Sequence, residues 1–270
     1  MNGKKAVSSK RVPPKSVKVK PIFEGSTKLY LDLMAKTLTG MIYGNPPIAV
    51  FGWKEFKPLD RERGTDWPSQ AYSMVGEKRM NNFRTLIERV IEEKVSGDII
   101  ETGVWRGGAC IMARAVLMAY GITDRKIILA DSFEGLPPPD GKAYPADKDA
   151  TWHEMTPLAV SLEDVRENFK KFDFLDDQVV FLKGWFKDTM PLVESKKIAV
   201  LRLDGDMYES TITVLDSLYD KVTAGGWVIV DDYDLVPACK QAVTDFLERR
   251  KLTPKILPID GIGVYFQKTE

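Results

Sequence analysis

The chain is poor in cysteine and histidine. Its 270 residues include two cysteines and one histidine. Cys110 and Cys239 lie far apart in segments that read as helices, and the sequence has no CxxC or His–Cys spacing. This argues against a disulfide framework and a zinc site. Both cysteines are predicted to be small buried hydrophobic residues in a reducing compartment, and the cytoplasm is the expected location.

The chain also lacks a long apolar run and a net charge. No stretch reaches the roughly 18 apolar residues that a membrane-spanning helix needs, and the 39 basic and 39 acidic side chains cancel. Basic residues are concentrated at the start, where the first 20 residues hold seven Lys or Arg and no acid. This leader has no apolar segment of a secretory signal. We predict an inert disordered tail over residues 1–25, with neither a nucleic-acid nor a membrane partner.

From about residue 97 onward, short β-branched runs alternate with amphipathic segments. This alternation predicts an α/β core, residues 96–270, in which a mostly parallel sheet has helices on both faces. The predicted strands are 98–101, 127–133, 179–183, 198–204, 227–231, 255–258 and 263–266. Helix starts are predicted near Gly107, Ser161, Ser210 and Pro237, and Ser161 with Asp164 forms a short capping box. Asp260 and Gly261 form a hairpin-type turn, which predicts an antiparallel final strand.

The region before this core, residues 26–95, is predicted to form a helical and loop cap. Apolar residues at helical spacing predict helices over residues 29–41 and 77–94. Between them, residues 45–73 are an irregular stretch rich in Pro, Gly and Trp. A loop of this length is usually a lid, a binding element or an interface.

A glycine-rich turn from Glu101 to Gly108 follows the first predicted strand and opens a helix. Open α/β sheets bind nucleotides at this place, and Gly103, Gly107 and Gly108 would let the backbone approach a ligand closely. The spacing is not GxGxxG, which makes a nicotinamide dehydrogenase a weak alternative. Glu101 would repel a pyrophosphate and instead suits a cofactor with an ammonium group. The structural alternative is a turn that only packs the helix against the strand.

Asp131 ends the second predicted strand, about 30 residues after Glu101. From this position in nucleotide-binding α/β folds, a carboxylate accepts hydrogen bonds from the ribose hydroxyls. The alternative is an Asx turn made by Asp131 and Ser132. Together, Glu101 and Asp131 indicate an adenosyl group with an amino-acid tail, and S-adenosylmethionine has both.

Two later predicted strands end in acid. Asp204 and Asp206 follow one apolar run, and Asp231, Asp232 and Asp234 follow the next. Paired carboxylates at a strand end are costly unless they hold a cation or a proton, which indicates an enzyme that uses a divalent metal. Asp206 and Asp234 are instead predicted to cap the following helix or turn.

Seven sequence blocks carry a family resemblance. They are ETGVWRGG, ADSFEGLP, SLEDVRENF, FLKGWF, LRLDGDMYES, GGWVIVDDY and PACKQAV, and the likeness covers about residues 70 to 268. In this order they resemble the TylF/MycF/NovP group of sugar O-methyltransferases, which act on macrolide and aminocoumarin antibiotics. The resemblance implies the class I methyltransferase fold, a Rossmann-like sheet of seven strands in the order 3-2-1-4-5-7-6 with an antiparallel last strand. It also implies S-adenosylmethionine and magnesium, and we expect a homodimer or larger homo-oligomer.

Carried over by motif, Asp204, Asp231 and Asp232 correspond to the magnesium ligands, together with two hydroxyls of a sugar diol. Asp204 is the first choice for the proton acceptor, and His153 in the loop after the second strand is the alternative. Some relatives have a histidine three positions after the first metal aspartate, where this chain has Met207. The implied cofactor residues are Met74, Glu101, Thr102, Gly103, Gly107, Asp131, Ser132, Gly184, Trp185 and Asp204.

The acceptor is the least determined part of this interpretation. Trp185 is expected to stack on the adenine or to be a core aromatic residue, and Trp53, Trp67 and Tyr72 are candidates for a sugar or aglycone site. A glycosylated natural product is the predicted acceptor. The alternatives are a catechol-like phenol, which the same metal geometry would bind, and a non-catalytic protein that binds S-adenosylmethionine.

Overall fold

The protein folds around one seven-stranded sheet, seen in a computed structural model that describes residues 24–269. The strands are β1 (Asp98–Thr102), β2 (Ile127–Asp131), β3 (Val179–Lys183), β4 (Ile198–Leu203), β5 (Val222–Val230), β6 (Leu257–Pro258) and β7 (Val264–Gln267). They lie in the order β3-β2-β1-β4-β5-β7-β6. Strands β1 to β5 pair in parallel, and β7 runs antiparallel to both β5 and β6. The predicted strand order and the antiparallel last strand are confirmed.

Helices cover both faces of the sheet. They are α1 (Glu24–Leu38), α2 (Pro58–Arg63), α3 (Gly76–Glu92), α4 (Gly108–Ala119), α5 (Leu162–Lys171), α6 (Phe186–Thr189), α7 (Tyr208–Leu218) and α8 (Pro237–Arg250). One hydrophobic cluster contains side chains of α1, α3, α4 and α5, and a second contains those of α7 and α8. Ile99 and Ile100, adjacent in β1, belong to opposite clusters, which is the alternation of a strand buried on both faces. No helix among the described residues is long and apolar enough to cross a membrane.

Of the predicted element boundaries, the start of α5 is confirmed and the start of β5 differs. Ser161 is the N-cap of α5, and its hydroxyl accepts a hydrogen bond from the Asp164 N–H at 3.1 Å, as predicted. The strand β5 begins earlier than predicted, because it continues through an irregularity at Gly225 and Gly226 that the sequence presents as a turn. Since α1 begins at Glu24, nearly all of the predicted tail, residues 1–25, lies outside the described residues.

The cap loop, residues 45–73, contains the helix α2 and is held by a buried ion pair. Arg61 in α2 is 1% exposed and donates to Asp66 at 2.8 Å. Its guanidinium also donates to the carbonyls of Thr39 and Asn45 at 3.2 and 3.0 Å. A buried guanidinium requires such a full set of acceptors. These bonds fix the cap loop to the segment that follows α1.

Candidate active site

A cavity of about 680 Å³ opens where the parallel strands end. The carboxyl ends of β1, β2, β4 and β5 line it, together with Phe51, Trp53 and Trp67 of the cap loop. Open α/β sheets bind ligands at this edge, where the direction of strand order reverses. The sheet order therefore brings both sets of predicted acids, those after β1 and β2 and those after β4 and β5, into one cavity.

Gly103 allows the ends of β1 and β4 to meet. Its φ is 85°, and a Cβ atom there would lie 1.7 Å from the Asp204 carbonyl oxygen, so only glycine fits. On the neighbouring strand, Asp131 accepts hydrogen bonds from the N–H groups of Val104 and Phe133, both at 2.7 Å. Burial raises the pKa of the Asp131 carboxyl. The Asx turn is thus present, and the same carboxylate lines the cavity.

Arg202, near the end of β4, is the site residue that the sequence analysis missed. Its side chain is 1% exposed and donates to Glu101, Asp204 and Asp231. Glu101 also accepts a hydrogen bond from the Cys110 thiol at 2.9 Å, and burial raises the pKa of Glu101 to about 7 against the charge of Arg202. Two sequence signals identify this arginine. It interrupts an apolar run, and its spacing from Asp204 puts both side chains on one face of the strand.

Asp204, Asp231 and Asp232 converge after β4 and β5. Each offers one oxygen, and these oxygens lie within 4.8 Å of one another. The Oδ2 atom of Asp232 is buried and has no hydrogen-bond donor among the described residues. Burial and neighbouring carboxylates raise the pKa of Asp204 to about 6 and that of Asp232 well above its usual value. An unsatisfied oxygen among mutually repelling carboxylates fits a hard divalent cation, which prefers oxygen ligands.

Asp206 and Asp234 are not helix caps, so that prediction is wrong. Asp206 lines the cavity with a left-handed backbone conformation, φ 57°, and burial raises the pKa of its carboxyl to about 7. Asp234 accepts a hydrogen bond from Lys240 of α8 at 2.7 Å. The N-cap position of α8 is Val236, and no side chain caps it. Asp206 therefore adds a further acid to the cavity wall, whereas Asp234 is a surface residue.

The amino end of α7 is capped by a side chain from a distant loop. Asp147 is 1% exposed and accepts hydrogen bonds from the N–H groups of Tyr208 and Glu209 at 2.7 and 2.9 Å. Its partners follow more than 60 residues later in the chain, which hides the pair from motif analysis. Trp152, a few residues after Asp147, lines the cavity. The hydrogen bonds of Asp147 therefore attach the segment that carries Trp152, which is part of the cavity wall, to α7.

We expect Asp147→Ala to lower the free energy of unfolding by about 1–2 kcal/mol, the usual cost of losing a helix N-cap. The affinity for the predicted methyl acceptor should also fall, because the segment that carries Trp152 loses these hydrogen bonds to α7. Asp147→Asn keeps one oxygen that can accept a hydrogen bond. This variant should therefore lose less stability and less affinity than Asp147→Ala. Urea unfolding and the KM for the acceptor measure the two effects. An alanine variant as stable as the wild type would contradict this role.

Three predicted site residues do not line the cavity. The Thr102 side chain is 1% exposed and donates to the Arg202 carbonyl at 3.3 Å. Gly107 packs against α5, where a Cβ atom would meet a valine side chain at 2.9 Å. His153 lies in a short 3-10 turn next to Trp152, which does reach the cavity. The predicted residues that line it are Met74, Glu101, Gly103, Asp131, Ser132, Gly184, Trp185, Asp204, Asp231 and Asp232.

Almost the whole described chain matches one protein family. Residues 27–268 match the family model described as Macrocin-O-methyltransferase (TylF). The chain belongs to the TylF family. The resemblance carried by the seven sequence blocks is confirmed, and the protein is an O-methyltransferase.

Relatives of this TylF-family protein are similar along most of its length. It is 46% identical over 247 residues to the demethyldecarbamoylnovobiocin O-methyltransferase of Streptomyces niveus, a match that covers 90% of this chain and 94% of that one. It is 47% identical over 248 residues to the 8-demethyl-8-(2,3-dimethoxy-alpha-L-rhamnosyl)-tetracenomycin-C 4'-O-methyltransferase of Streptomyces olivaceus, covering 91% and 95%. The solved structure of the O-methyltransferase NovP has a TM-score of 0.87 at 46% identity and covers 90% of this chain and 100% of that one.

The ligand-free TylF-family protein should lose stability as the pH rises from about 4 to about 7. Burial raises the folded-state pKa of Glu101 from 4.5 to about 7 and that of Asp204 from 3.8 to about 6. Between the unfolded and folded pKa values, the folded state binds more protons than the unfolded state. The free energy of unfolding therefore falls as the pH rises through this window.

Scanning calorimetry with and without Mg²⁺ checks this pH dependence. We expect a lower melting temperature at about pH 8 than at about pH 5.5 without the ion. Added Mg²⁺ should raise the melting temperature more at the higher pH, because cation binding favours deprotonated carboxylates. A melting temperature that rises over this range without Mg²⁺ would contradict the expected proton uptake by the folded state.

Proposed function

We propose that the protein is a magnesium-dependent S-adenosylmethionine O-methyltransferase that methylates a sugar hydroxyl of a glycosylated natural product. One observation carries the proposal. Glu101 and Asp131, which suit the cofactor, share a cavity with Asp204, Asp231 and Asp232, which suit a divalent cation. The S. olivaceus relative is named for 4'-O-methylation of a rhamnosyl tetracenomycin, which supports a sugar hydroxyl as the acceptor.

Three residues that line the cavity suit S-adenosylmethionine. We assign the ribose hydroxyls to Asp131, the adenine face to Trp185 and the ammonium group to Glu101, since all three line the cavity. The oxygens of Glu101 already accept bonds from Arg202 and Cys110. A carboxylate has about four lone-pair positions, so each oxygen can accept a further hydrogen bond.

The acids after β4 and β5 would hold the magnesium ion. Asp231 and Asp232 are buried, whereas the Asp204 side chain is 25% exposed. The bonds from Arg202 to Asp204 and Asp231 leave lone pairs for a cation, because a carboxylate oxygen has more than one. When bound, the ion would lower the pKa of the acceptor hydroxyl, which otherwise lies near that of water, about 15.7.

Asp204 is the proton acceptor in this proposal. It is the most exposed of the three acids and lines the cavity. Burial raises its pKa to about 6 in the absence of a cation, so the carboxylate is ionised at neutral pH and can accept a proton. When bound, S-adenosylmethionine would supply the methyl group to the acceptor oxygen and leave as S-adenosylhomocysteine. Asp204 would take up the proton that the hydroxyl loses.

An aromatic cluster on the cap loop supports an acceptor with a large aglycone. Phe51, Trp53 and Trp67 pack edge to face with ring centroids 5.2, 5.7 and 6.1 Å apart. All three line the cavity, and Phe51 is 61% exposed. Tyr72, the third aromatic candidate from the sequence, packs on Phe172 and does not line the cavity. Three aromatic rings on the cavity wall suit a broad apolar group beside the sugar better than a lone catechol.

The test is methyl transfer by the purified chain with S-adenosylmethionine and a panel of deoxysugar glycosides and catechols. We expect methylation of a glycoside with a free vicinal diol. Activity should fall at least about 100-fold after exhaustive chelation and return on adding Mg²⁺. Activity that survives chelation would contradict the magnesium assignment, and methylation of catechols alone would contradict the sugar acceptor. No heat on titration with S-adenosylhomocysteine would contradict the cofactor.

A further inference from the structure

Arg79 reaches from α3 to the acids of the cavity. Its side chain is 5% exposed, and every part of the guanidinium is used. It donates to Asp231 Oδ2 and, at 3.0 Å, to Asp260 Oδ2. It also donates to the carbonyls of Gly64 and Arg63, at 3.1 and 3.4 Å. One side chain therefore joins three separate parts of the fold: the end of β5, the β6–β7 hairpin and the end of α2.

The contact with the end of α2 is built for close approach. Gly64 is the C-cap of α2 in a left-handed conformation, with φ 63°. A Cβ atom on Gly64 would lie 2.5 Å from the Arg79 guanidinium, and one on Gly76, the first residue of α3, would lie 2.3 Å from the Gly64 nitrogen. The backbone at the end of α2 therefore lies so close to the start of α3 that only glycine fits at both positions.

The contact with Asp231 fixes a proposed cation ligand from two sides. Arg202 donates to Oδ1 of Asp231, and Arg79 donates to Oδ2. Two guanidinium groups on one carboxylate define its plane, because each arginine fork is rigid. Partners of metal ligands that act in this way orient the ligand toward the ion.

We infer that Arg79 is a positioning residue that couples the cap loop to the cation site. The same guanidinium holds Asp231 and the end of α2, so the position of the aromatic cap loop and the orientation of the ligand depend on each other. By thermodynamic linkage, a bound cation then also stabilises the cap loop. This inference rests on the proposed function, because it takes Asp231 as a cation ligand.

A simple counter-charge role makes the opposite prediction. A guanidinium beside a cation site repels the ion, so removing its charge would strengthen cation binding if charge were its only contribution. A positioning role predicts weaker cation binding when the planar guanidinium is lost, whether or not the positive charge remains. Arg79→Lys keeps the charge and loses the fork, and Arg79→Gln loses both.

The experiment uses the full chain with S-adenosylhomocysteine and measures Mn²⁺ binding by electron paramagnetic resonance. We expect both Arg79 variants to weaken Mn²⁺ binding by about 10- to 100-fold. Arg84 is the matched control, because it lies on the same helix, is 8% exposed and pairs with Asp32 and Glu88. Arg84→Gln should leave Mn²⁺ binding unchanged.

Limited trypsin digestion reports the cap loop independently of activity. Lys54 and Arg63 are exposed trypsin cleavage sites in this loop. In the wild type, Mn²⁺ should slow cleavage at these residues, and in the Arg79 variants this protection should disappear and cleavage without the ion should be faster. If the Arg79 variants do not fold, Asp260→Asn removes one acceptor of Arg79 outside the cation site and should produce the same two changes to a smaller degree.

The outcomes separate this inference from the proposed function. Wild-type protein that binds S-adenosylhomocysteine but no Mn²⁺ would contradict the magnesium assignment and, with it, the coupling. Wild-type Mn²⁺ binding with unchanged or tighter binding in Arg79→Gln would overturn the inference alone. Unaltered cleavage of the cap loop in both Arg79 variants would also overturn it.

Discussion

Replacing Asp204 with asparagine should lower the kcat for methyl transfer by about 10²- to 10⁴-fold at saturating S-adenosylmethionine. Asparagine keeps the size of the side chain but cannot take up the hydroxyl proton and is a weaker ligand for a hard cation. Both proposed roles of Asp204 are therefore lost together. Steady-state assays with added Mg²⁺ measure the effect, and raising the Mg²⁺ concentration should not restore the wild-type rate.

Two further substitutions make this result specific to Asp204. Asp234→Asn removes an acid two residues beyond the cluster, where the side chain pairs with Lys240 at the surface. His153→Gln removes the alternative proton acceptor, which lies outside the cavity wall. Both variants should keep kcat within about twofold of the wild type, as surface substitutions usually do. Full activity in Asp204→Asn, or a collapse in His153→Gln, would contradict the assignment of the base.

Arg202→Met should lower the free energy of unfolding by about 3–5 kcal/mol near pH 8, the usual result of leaving buried charges without their partner. Glu101, Asp204 and Asp231 all accept from this guanidinium, and of the three Asp231 also accepts from Arg79. Near pH 5 the loss should be smaller, because uncompensated buried carboxylates take up protons there. Arg202→Lys keeps the positive charge but loses the planar guanidinium. Its free energy of unfolding should therefore lie between those of the wild type and Arg202→Met.

Urea unfolding at the two pH values measures the loss on substitution of Arg202. Circular dichroism under native conditions establishes that the variants retain the fold before unfolding is compared. A loss that stays the same at both pH values would contradict the role of Arg202 as a counter-charge. A loss near zero at the higher pH would show that the three acids are already neutral or paired elsewhere.

The strands themselves could be predicted because each carries its information locally, in its own residues. The β-branched runs mark the strands, and Asp260 and Gly261 mark the hairpin between β6 and β7. The family resemblance supplies the strand order, which places the strand ends at one edge of the sheet. From that order alone, Asp204 and the Asp231–Asp232 pair are expected to meet, and their oxygens do so.

Which groups contact these acids could not be predicted, because the contacts are set by strand register and by loops. Arg202 faces Glu101 only through the pairing of β1 with β4, across about 100 residues of sequence. Asp147 displaces Asp206 as the cap of α7, since the loop after β2 folds back onto that helix. A sequence motif shows the acids of such a site, but it does not show which arginine side chains contact them and fix their orientation. The homo-oligomer and the cytoplasmic location stay predictions.

A crystal structure with S-adenosylhomocysteine and Mn²⁺ would test the proposed site most directly, because anomalous scattering locates Mn²⁺ independently of the protein atoms. We predict one anomalous peak at about 2 Å from an oxygen of each of Asp204, Asp231 and Asp232. The cofactor product should lie in the same cavity against Glu101 and Asp131. A bound product with no peak among these three carboxylates, or with the ion elsewhere in the cavity, would contradict the metal-dependent mechanism.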